Sequence, residues 1–182
     1  MAKYIKIFNK ILIKVLQSGQ SDAIIIHKVV KKLTKDGFLG SYDISIDDKG
    51  RIRIPSKFRA ALGEDFVISC GNDACLVIYP AKVWEDMSSQ VDGFSDFDMD
   101  AIEFKRAFFS NASFGEFDSA GRVLVPLKFR SYASFKKDLI AVGANKYFEI
   151  WDSQNWESKN YNTLQKRRES QVKITEKVNG RI

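Results

Sequence analysis

The sequence predicts a mainly β protein with short helices, an α+β fold, made of two copies of one unit. Residues 47–59 read DDKGRIRIPSKFR, and 71 residues later DSAGRVLVPLKFR keeps seven of those thirteen residues. Short apolar runs follow each copy in the same order, and glycine-rich or Asn-Asp turns separate them. So many identities at one offset far exceed chance and indicate internal duplication.

The first unit opens with the alternating run YDISI, the turn DDKG and the run RIRIP, which together predict a hairpin. Gly50 can take the positive φ that such a turn needs. Arg51 and Arg53 alternate with isoleucines, so both guanidinium groups should leave the core on one face. Pro55 should end this strand.

A short helix, KFRAAL, is expected next, with Ser56 as its cap and Gly63 as its stop. The apolar runs FVISCG and CLVIYP predict two strands joined by a turn at 71–73, and AKVWEDM begins another helix. The second unit repeats this order as FGEFDSAGRVLVP, LKFRSYAS, LIAVG, YFEIWD and SQNW. The aromatic residues on these predicted strands and helix starts are interpreted as core or subunit interface: Trp84, Phe148, Trp151 and Trp156.

The predicted organisation has five segments. They are a basic N-terminal extension (1–36), a first repeat (37–85), an acidic, partly helical linker (86–113), a second repeat (114–157) and a basic C-terminal tail (158–182). The extension is compatible with two short basic amphipathic helices or with a loosely packed leader. The tail is expected to be a frayed helix or disordered, because it is polar and poor in large apolar residues.

The net charge of +6 does not by itself indicate DNA binding, because the positive charge lies mostly at the two ends. Residues 37–157 carry 14 basic against 19 acidic residues. Eight of those 14 bases nevertheless fall within residues 49–59 and 122–130, around the duplicated motif. The sequence therefore favours a local cationic patch over a globally basic surface.

The spacing Asp-x-x-x-Arg around a tight turn lets a carboxylate hold a guanidinium in one orientation. In the second copy, Asp118 and Arg122 are interpreted first as a salt bridge that ties the turn. The first copy adds two cations, Lys49 and Arg53, where the second has alanine and leucine. A folding requirement would apply to both copies equally, so the first turn is predicted to carry an additional function. Several cations on a β-ribbon are suited to contacting a phosphate backbone and a DNA groove.

The helix cations occur in both copies and have three interpretations: a solvated helix face, partners for a neighbouring subunit, or secondary DNA contacts. They are Lys57, Arg59, Lys128 and Arg130.

Enzyme chemistry is not expected. The repeats contain no histidine, no phosphate-cradling glycine loop and no serine elbow. Asp47 and Asp48 are adjacent on a turn, so their side chains should point apart and make a poor acid/base pair. We expect no cofactor, no metal and no small-molecule substrate.

No apolar run is long enough to span a bilayer, and two lysines interrupt the apolar start, so neither a membrane span nor an export signal is expected. Cys70 and Cys75 are interpreted as reduced, partly buried small hydrophobic residues, with a labile disulfide or a shared metal as the alternatives; the metal is disfavoured because the only histidine, His27, is far away in the sequence.

From about Phe38 to Trp156 the chain resembles the MraZ family, bacterial transcriptional regulators of the division and cell-wall gene cluster. The resemblance rests on FLGSYDISIDDKGRIRIPSKFRAAL with CLVIYPAKVW, and on FDSAGRVLVPLKFRSYASFKKDLIAVGANKYFEIWDSQNW. It covers about two-thirds of the chain, and residues 1–36 have no counterpart in the family pattern.

The resemblance implies a tandem swapped-hairpin, AbrB-like pseudo-dimer whose two halves interlock. It implies a cytoplasmic, nucleoid-associated regulator that assembles as a homo-oligomeric ring and binds short repeats in double-stranded promoter DNA upstream of its own operon, often repressing it. Carried onto this sequence, the DNA-binding residues are Lys49, Arg51 and Arg53. The two signatures are Asp47, Gly50 and Arg51, and Asp118, Gly121 and Arg122. An antitoxin-like or scaffold protein of the same fold, without promoter binding, remains the alternative.

Overall fold

A computed structural model describes residues 37–160 and 163–179 of the chain. The expectation of basic amphipathic helices in residues 1–36 lies outside these described residues.

The described chain alternates strands and short helices in the order that the duplication predicts. The first half contains β1 (Ser41–Ser45), β2 (Arg51–Arg53), α1 (Ser56–Leu62), β3 (Phe66–Cys70), β4 (Leu76–Pro80), α2 (Ala81–Asp92) and α3 (Met99–Ser110). The second contains β5 (Ala112–Gly115), β6 (Arg122–Leu124), α4 (Leu127–Tyr132), β7 (Asp138–Gly143), β8 (Phe148–Asp152), α5 (Ser153–Asn160) and α6 (Thr163–Asn179). The predicted α+β fold class is confirmed.

Local sequence explains most of these element ends. Helix α1 stops at Gly63, whose φ of 79° is favourable only for glycine. The expectation that Ser56 caps this helix is wrong: Pro55 occupies the cap position, Ser56 is the first helical residue, and no side chain caps the helix. Proline suits this position because its fixed φ of −51° leads directly into the helix.

Six of the strands form one antiparallel sheet with the order β1-β7-β8-β4-β3-β5. This order is symmetric under exchange of the two repeats, because β1 corresponds to β5, β7 to β3 and β8 to β4. The outer strand of each repeat pairs with the other repeat: β1 lies beside β7, and β5 lies beside β3. The two halves therefore interlock as a tandem swapped-hairpin, AbrB-like pseudo-dimer.

The remaining two strands form a separate two-stranded ribbon in which β2 pairs with β6. The run from Tyr42 to Pro55 is therefore not a simple hairpin as predicted. Its two strands meet only at the bridge between Ile46 and Ile52, and the second repeat has the matching bridge between Phe117 and Val123. Each turn forms as predicted. The strand that follows it, however, pairs along its length with the equivalent strand of the other repeat, β2 with β6.

The core lies where the repeats cross. The inward side chains of the ribbon and of the segments that follow it are almost completely buried: Ile52, Ile54, Val123 and Val125. Phe58 of α1 packs against Phe38 and Phe148 with ring centroids 5.4 and 4.9 Å apart. Each fully buried side chain of this kind contributes about 1.5–3 kcal/mol, so the contacts between the repeats supply much of the stability.

The C-terminal tail is helical over α6, in agreement with the first of its two predicted alternatives. The side chains described for this helix, residues 165–177, are all exposed. Val172 and Ile174 are the large apolar residues among them. No helix within the described residues is both long enough and apolar enough to cross a lipid bilayer.

Candidate nucleic-acid interface

Each duplicated turn is organised by its aspartate. One carboxylate oxygen of Asp47 accepts hydrogen bonds from the backbone N–H groups of Lys49 and Arg51, at 3.0 and 2.9 Å. Asp118 accepts the equivalent bonds from Ala120 and Arg122 at 2.9 and 2.8 Å. Gly50 completes the first turn with a φ of 79°. The aspartate therefore shapes the turn before it contacts any other side chain.

The second carboxylate oxygen of each aspartate holds the arginine of its own signature. Arg51 contacts Asp47 through Nε at 2.8 Å and Nη2 at 2.7 Å. Arg122 contacts Asp118 through Nε at 2.8 Å. The predicted Asp-x-x-x-Arg pairing is thus present in both copies, with the arginine side chains 25% and 31% exposed.

The two pairs also lie next to each other across the ribbon. Arg51 Nη1 is 3.9 Å from Asp118, and Arg122 Nη1 is 4.0 Å from Asp47. Each guanidinium therefore sits between two carboxylates, one from each repeat. This arrangement restricts two long side chains, which lowers the entropy that they would lose when they contact a ligand.

These contacts change the acidity of the aspartates. The hydrogen bond from the Arg51 side chain, helped by the backbone N–H groups, lowers the pKa of Asp47 from 3.8 to about 2. Hydrogen bonds from the backbone and side chain of Arg122 likewise lower the pKa of Asp118. Because the folded-state pKa of Asp47 lies below its unfolded value, the stabilisation by this group is fully present above pH 3.8 and is lost as the pH falls towards about 2.

We expect the pKa of Asp47 to rise towards 3.8 in an Arg51→Ala variant, because the main stabiliser of its ionised form is removed. A carboxyl-detected NMR titration of both proteins measures this change. Asp118 provides the internal control, since Arg122 still holds it and its pKa should remain low. An Asp47 pKa that is the same in the variant would show that the turn N–H groups alone set it.

The outward face of the ribbon carries more positive charge than its ion pairs neutralise. In the ribbon register Arg53 lies opposite Arg122, and Arg51 lies opposite Leu124. Lys49 and Arg53 are exposed and form no salt bridge with any carboxylate in residues 37–160 and 163–179. Two arginines directly across a ladder disfavour the folded state, so this face is better suited to an anionic ligand than to stability.

The two helix arginines are half-buried and pack against the turns. A Cβ at Gly50 would meet the guanidinium of Arg130, with Cζ 2.8 Å away. A Cβ at Gly121 would meet Arg59, with Cζ 3.1 Å away. Each arginine supports the turn of the other repeat, and Arg130 Nε also donates to the Val125 carbonyl at 3.0 Å.

The helix lysines are exposed but differ in their surroundings. Lys128 Nζ donates to the Ser110 carbonyl at 2.7 Å. Lys57 Nζ lies 5.9 Å from the centroid of the Tyr42 ring and has no salt-bridge partner among the described residues. Lys57 is therefore the more available of the two for a ligand.

The face of the six-stranded sheet that points away from the β2-β6 ribbon has an aromatic groove of about 780 Å³. It is partly lined by Tyr79, Trp84 and Tyr147. Burial raises the pKa of Tyr79 and of Cys75 to about 12, so both groups are protonated at neutral pH. Cys70 and Cys75 are free thiols, and Cys75 is buried, as the first interpretation of the cysteines predicted.

Sequence reasoning missed two features of this site. The support of each turn by an arginine of the other repeat could not be read from spacing, because the partners are 80 and 62 residues apart. The retention of K-F-R in both copies was the available signal. The second feature is a cleft beside the ribbon, whose lining includes both Arg53 and Lys57.

The fold and the ribbon define a protein of the AbrB-like class in which both halves of the pseudo-dimer belong to one chain. Comparison with known proteins identifies its family. Residues 38–107 and 108–178 each match the family model described as "MraZ protein, putative antitoxin-like". The chain belongs to the MraZ family.

Several curated relatives carry the name "Transcriptional regulator MraZ". The chain is 42% identical to the protein of Thermomicrobium roseum over 119 residues, which is 65% of this chain and 84% of that protein. It is 42% identical to the Finegoldia magna protein over 120 residues, 66% of this chain and 84% of that protein. It is 40% identical to the Lactiplantibacillus plantarum protein over 120 residues, 66% and 85% of the two chains. The family is thus one of transcriptional regulators.

Proposed function

We propose that this protein is a sequence-specific transcriptional regulator that binds double-stranded promoter DNA through the outward face of the β2-β6 ribbon. The residues that make the contacts are Lys49, Arg51 and Arg53. The observation that carries the proposal is the pair of unneutralised cations, Lys49 and Arg53, on either side of a guanidinium already held in place by Asp47.

A two-stranded ribbon has the right size for the major groove of B-DNA. Arg51, fixed by its aspartate, is suited to reading a base edge, since a pre-oriented guanidinium can donate two parallel hydrogen bonds. Lys49 and Arg53 flank it and suit phosphate contacts, which set register and supply most of the affinity.

One ribbon offers few cations, and residues 37–157 carry a net negative charge, so a single contact should be weak at physiological salt. We propose that copies of the chain assemble as a ring and present the ribbon repeatedly to short DNA repeats. Such multivalency raises affinity by roughly 10²–10⁴-fold. Large apolar side chains on the described surface support self-association, among them Phe97 at 99% and Phe114 at 84% exposure.

In the cell, the protein would lie in the cytoplasm with the nucleoid, bound upstream of its own operon in the division and cell-wall gene cluster, and would act there as a repressor. The alternative is an antitoxin-like or scaffold protein that binds another protein instead of promoter DNA. The exposed basic helix α6 and the antitoxin-like description of the family favour this second function.

A footprint on the DNA upstream of the gene for this chain tests the proposal. We expect short, regularly spaced protected segments at low salt, and a loss of protection between about 50 and 200 mM salt because counterions compete with phosphate contacts. A shuffled duplex is the control for sequence specificity. Uniform or absent protection of the natural sequence would reject the promoter-binding function and favour the alternative.

A further inference from the structure

A second feature lies beside the ribbon, at the junction of β1 and α1. It is a cleft of about 580 Å³ whose lining includes three cations and one carboxylate: Arg53, Lys57, Arg59 and Asp43. Arg53 belongs to both the cleft and the exposed ribbon face, so the cleft begins where that face ends. A DNA backbone that runs past the ribbon along this edge would therefore place its next phosphates beside Lys57 and Arg59.

The cations of this cleft are only partly satisfied by the protein. Lys57 and Arg53 form no salt bridge within the described residues, and the Nε of Arg59 is buried without a hydrogen-bond partner. Its counterpart, Arg130, donates from Nε to a backbone carbonyl. The same duplicated arginine is therefore satisfied in one repeat and unsatisfied in the other.

The second repeat keeps the two helix cations of this cleft but has apolar residues at three of its other polar positions. Asp43 and Ser45 correspond to Phe114 and Glu116, while Arg53 and Ser56 correspond to Leu124 and Leu127. The three apolar replacements are all exposed: Phe114, Leu124 and Leu127. Folding requirements act alike on both copies, so the polar set in the first repeat points to a ligand that only this repeat takes.

We infer that this cleft is a phosphate-binding site that extends the DNA contact from the ribbon to helix α1, with Lys57 as its principal phosphate ligand. The inference rests on the proposed function, since it assigns a second contact to the same DNA. It also makes the two repeats unequal: the first binds the nucleic-acid backbone through ribbon and helix, and the second does not use its helix lysine.

The test compares Lys57→Ala with Lys128→Ala, a matched pair because both residues occupy the same helix position and both are exposed. Binding of a fluorescent duplex from upstream of the gene for this chain, and of a shuffled duplex, is measured at several salt concentrations. For Lys57→Ala we expect affinity for both duplexes to fall by about three- to tenfold. The negative slope of log affinity against log salt should become shallower, by about 0.9 for each subunit in contact with the DNA, because each subunit loses one phosphate contact. Lys128→Ala should bind like the unmodified protein.

Equal behaviour of the two variants, whether both bind normally or both are weakened alike, would overturn the inference while leaving the proposed function intact. Failure of the unmodified protein to prefer the natural duplex would instead reject the proposed function. Melting curves accompany the binding data, and neither exposed lysine should change the melting temperature appreciably.

Discussion

The Arg51→Ala variant should lose specific promoter binding by at least about 100-fold, since this guanidinium is the one held ready at the centre of the cationic ribbon. The substitution removes the base-reading donor and the main cationic partner of Asp47, so that Arg122 Nη1, at 4.0 Å, is the cation that remains beside this carboxylate. In the proposed ring, this loss would recur in every subunit. Gel-shift titration with the DNA upstream of the gene for this chain measures it.

Arg122→Ala is the matched control, because Arg122 makes the same contact with Asp118 in the second copy. Its neighbours at the turn and on the strand are Ala120 and Leu124 instead of Lys49 and Arg53. We therefore expect a smaller loss of binding for this variant. Unchanged DNA binding by Arg51→Ala, with circular dichroism equal to that of the unmodified protein, would reject the assignment of the ribbon as the DNA-binding face.

Separating the repeats should abolish the folded monomer. A cut after Ser110 leaves the first half with only the β3–β4 ladder and the second half with only β7–β8. The β1–β7, β2–β6, β3–β5 and β4–β8 ladders all cross the cut. An isolated hairpin is at best marginally stable in water. At low concentration neither half should show a cooperative melting transition, and mixing them should restore one.

Circular dichroism melts together with light scattering distinguish monomer from reassembled species. A chain ending at Asn160 is the control, since the described side chains of α6 are exposed, and its melting temperature should match that of the intact protein. A monomeric half that melted sharply by itself would contradict the interlocked fold. Two copies of one half could pair in place of the native repeats, so the concentration must be kept low.

Much of the candidate site followed from local chemistry. The aspartate, glycine and arginine of each signature are set by turn geometry within five residues, and the structure places them as that spacing predicts. The outward direction of Arg51 and Arg53 followed from the two-residue period of a strand, with Ile52 buried between them. The unequal charge of the two copies was visible directly from the alignment of the repeats.

The sequence by itself determined the duplication, the order of strands and helices, and the outward direction of Arg51 and Arg53 on their strand. Only the tertiary structure decided which strands pair, because alternation specifies a buried face but not the neighbour that covers it. The same limit hid the exchange of β1 and β5 between repeats and the packing of Arg59 and Arg130 under the turns. Those contacts join residues far apart in the chain, and their energy depends on shape and burial that exist only once both repeats have folded together.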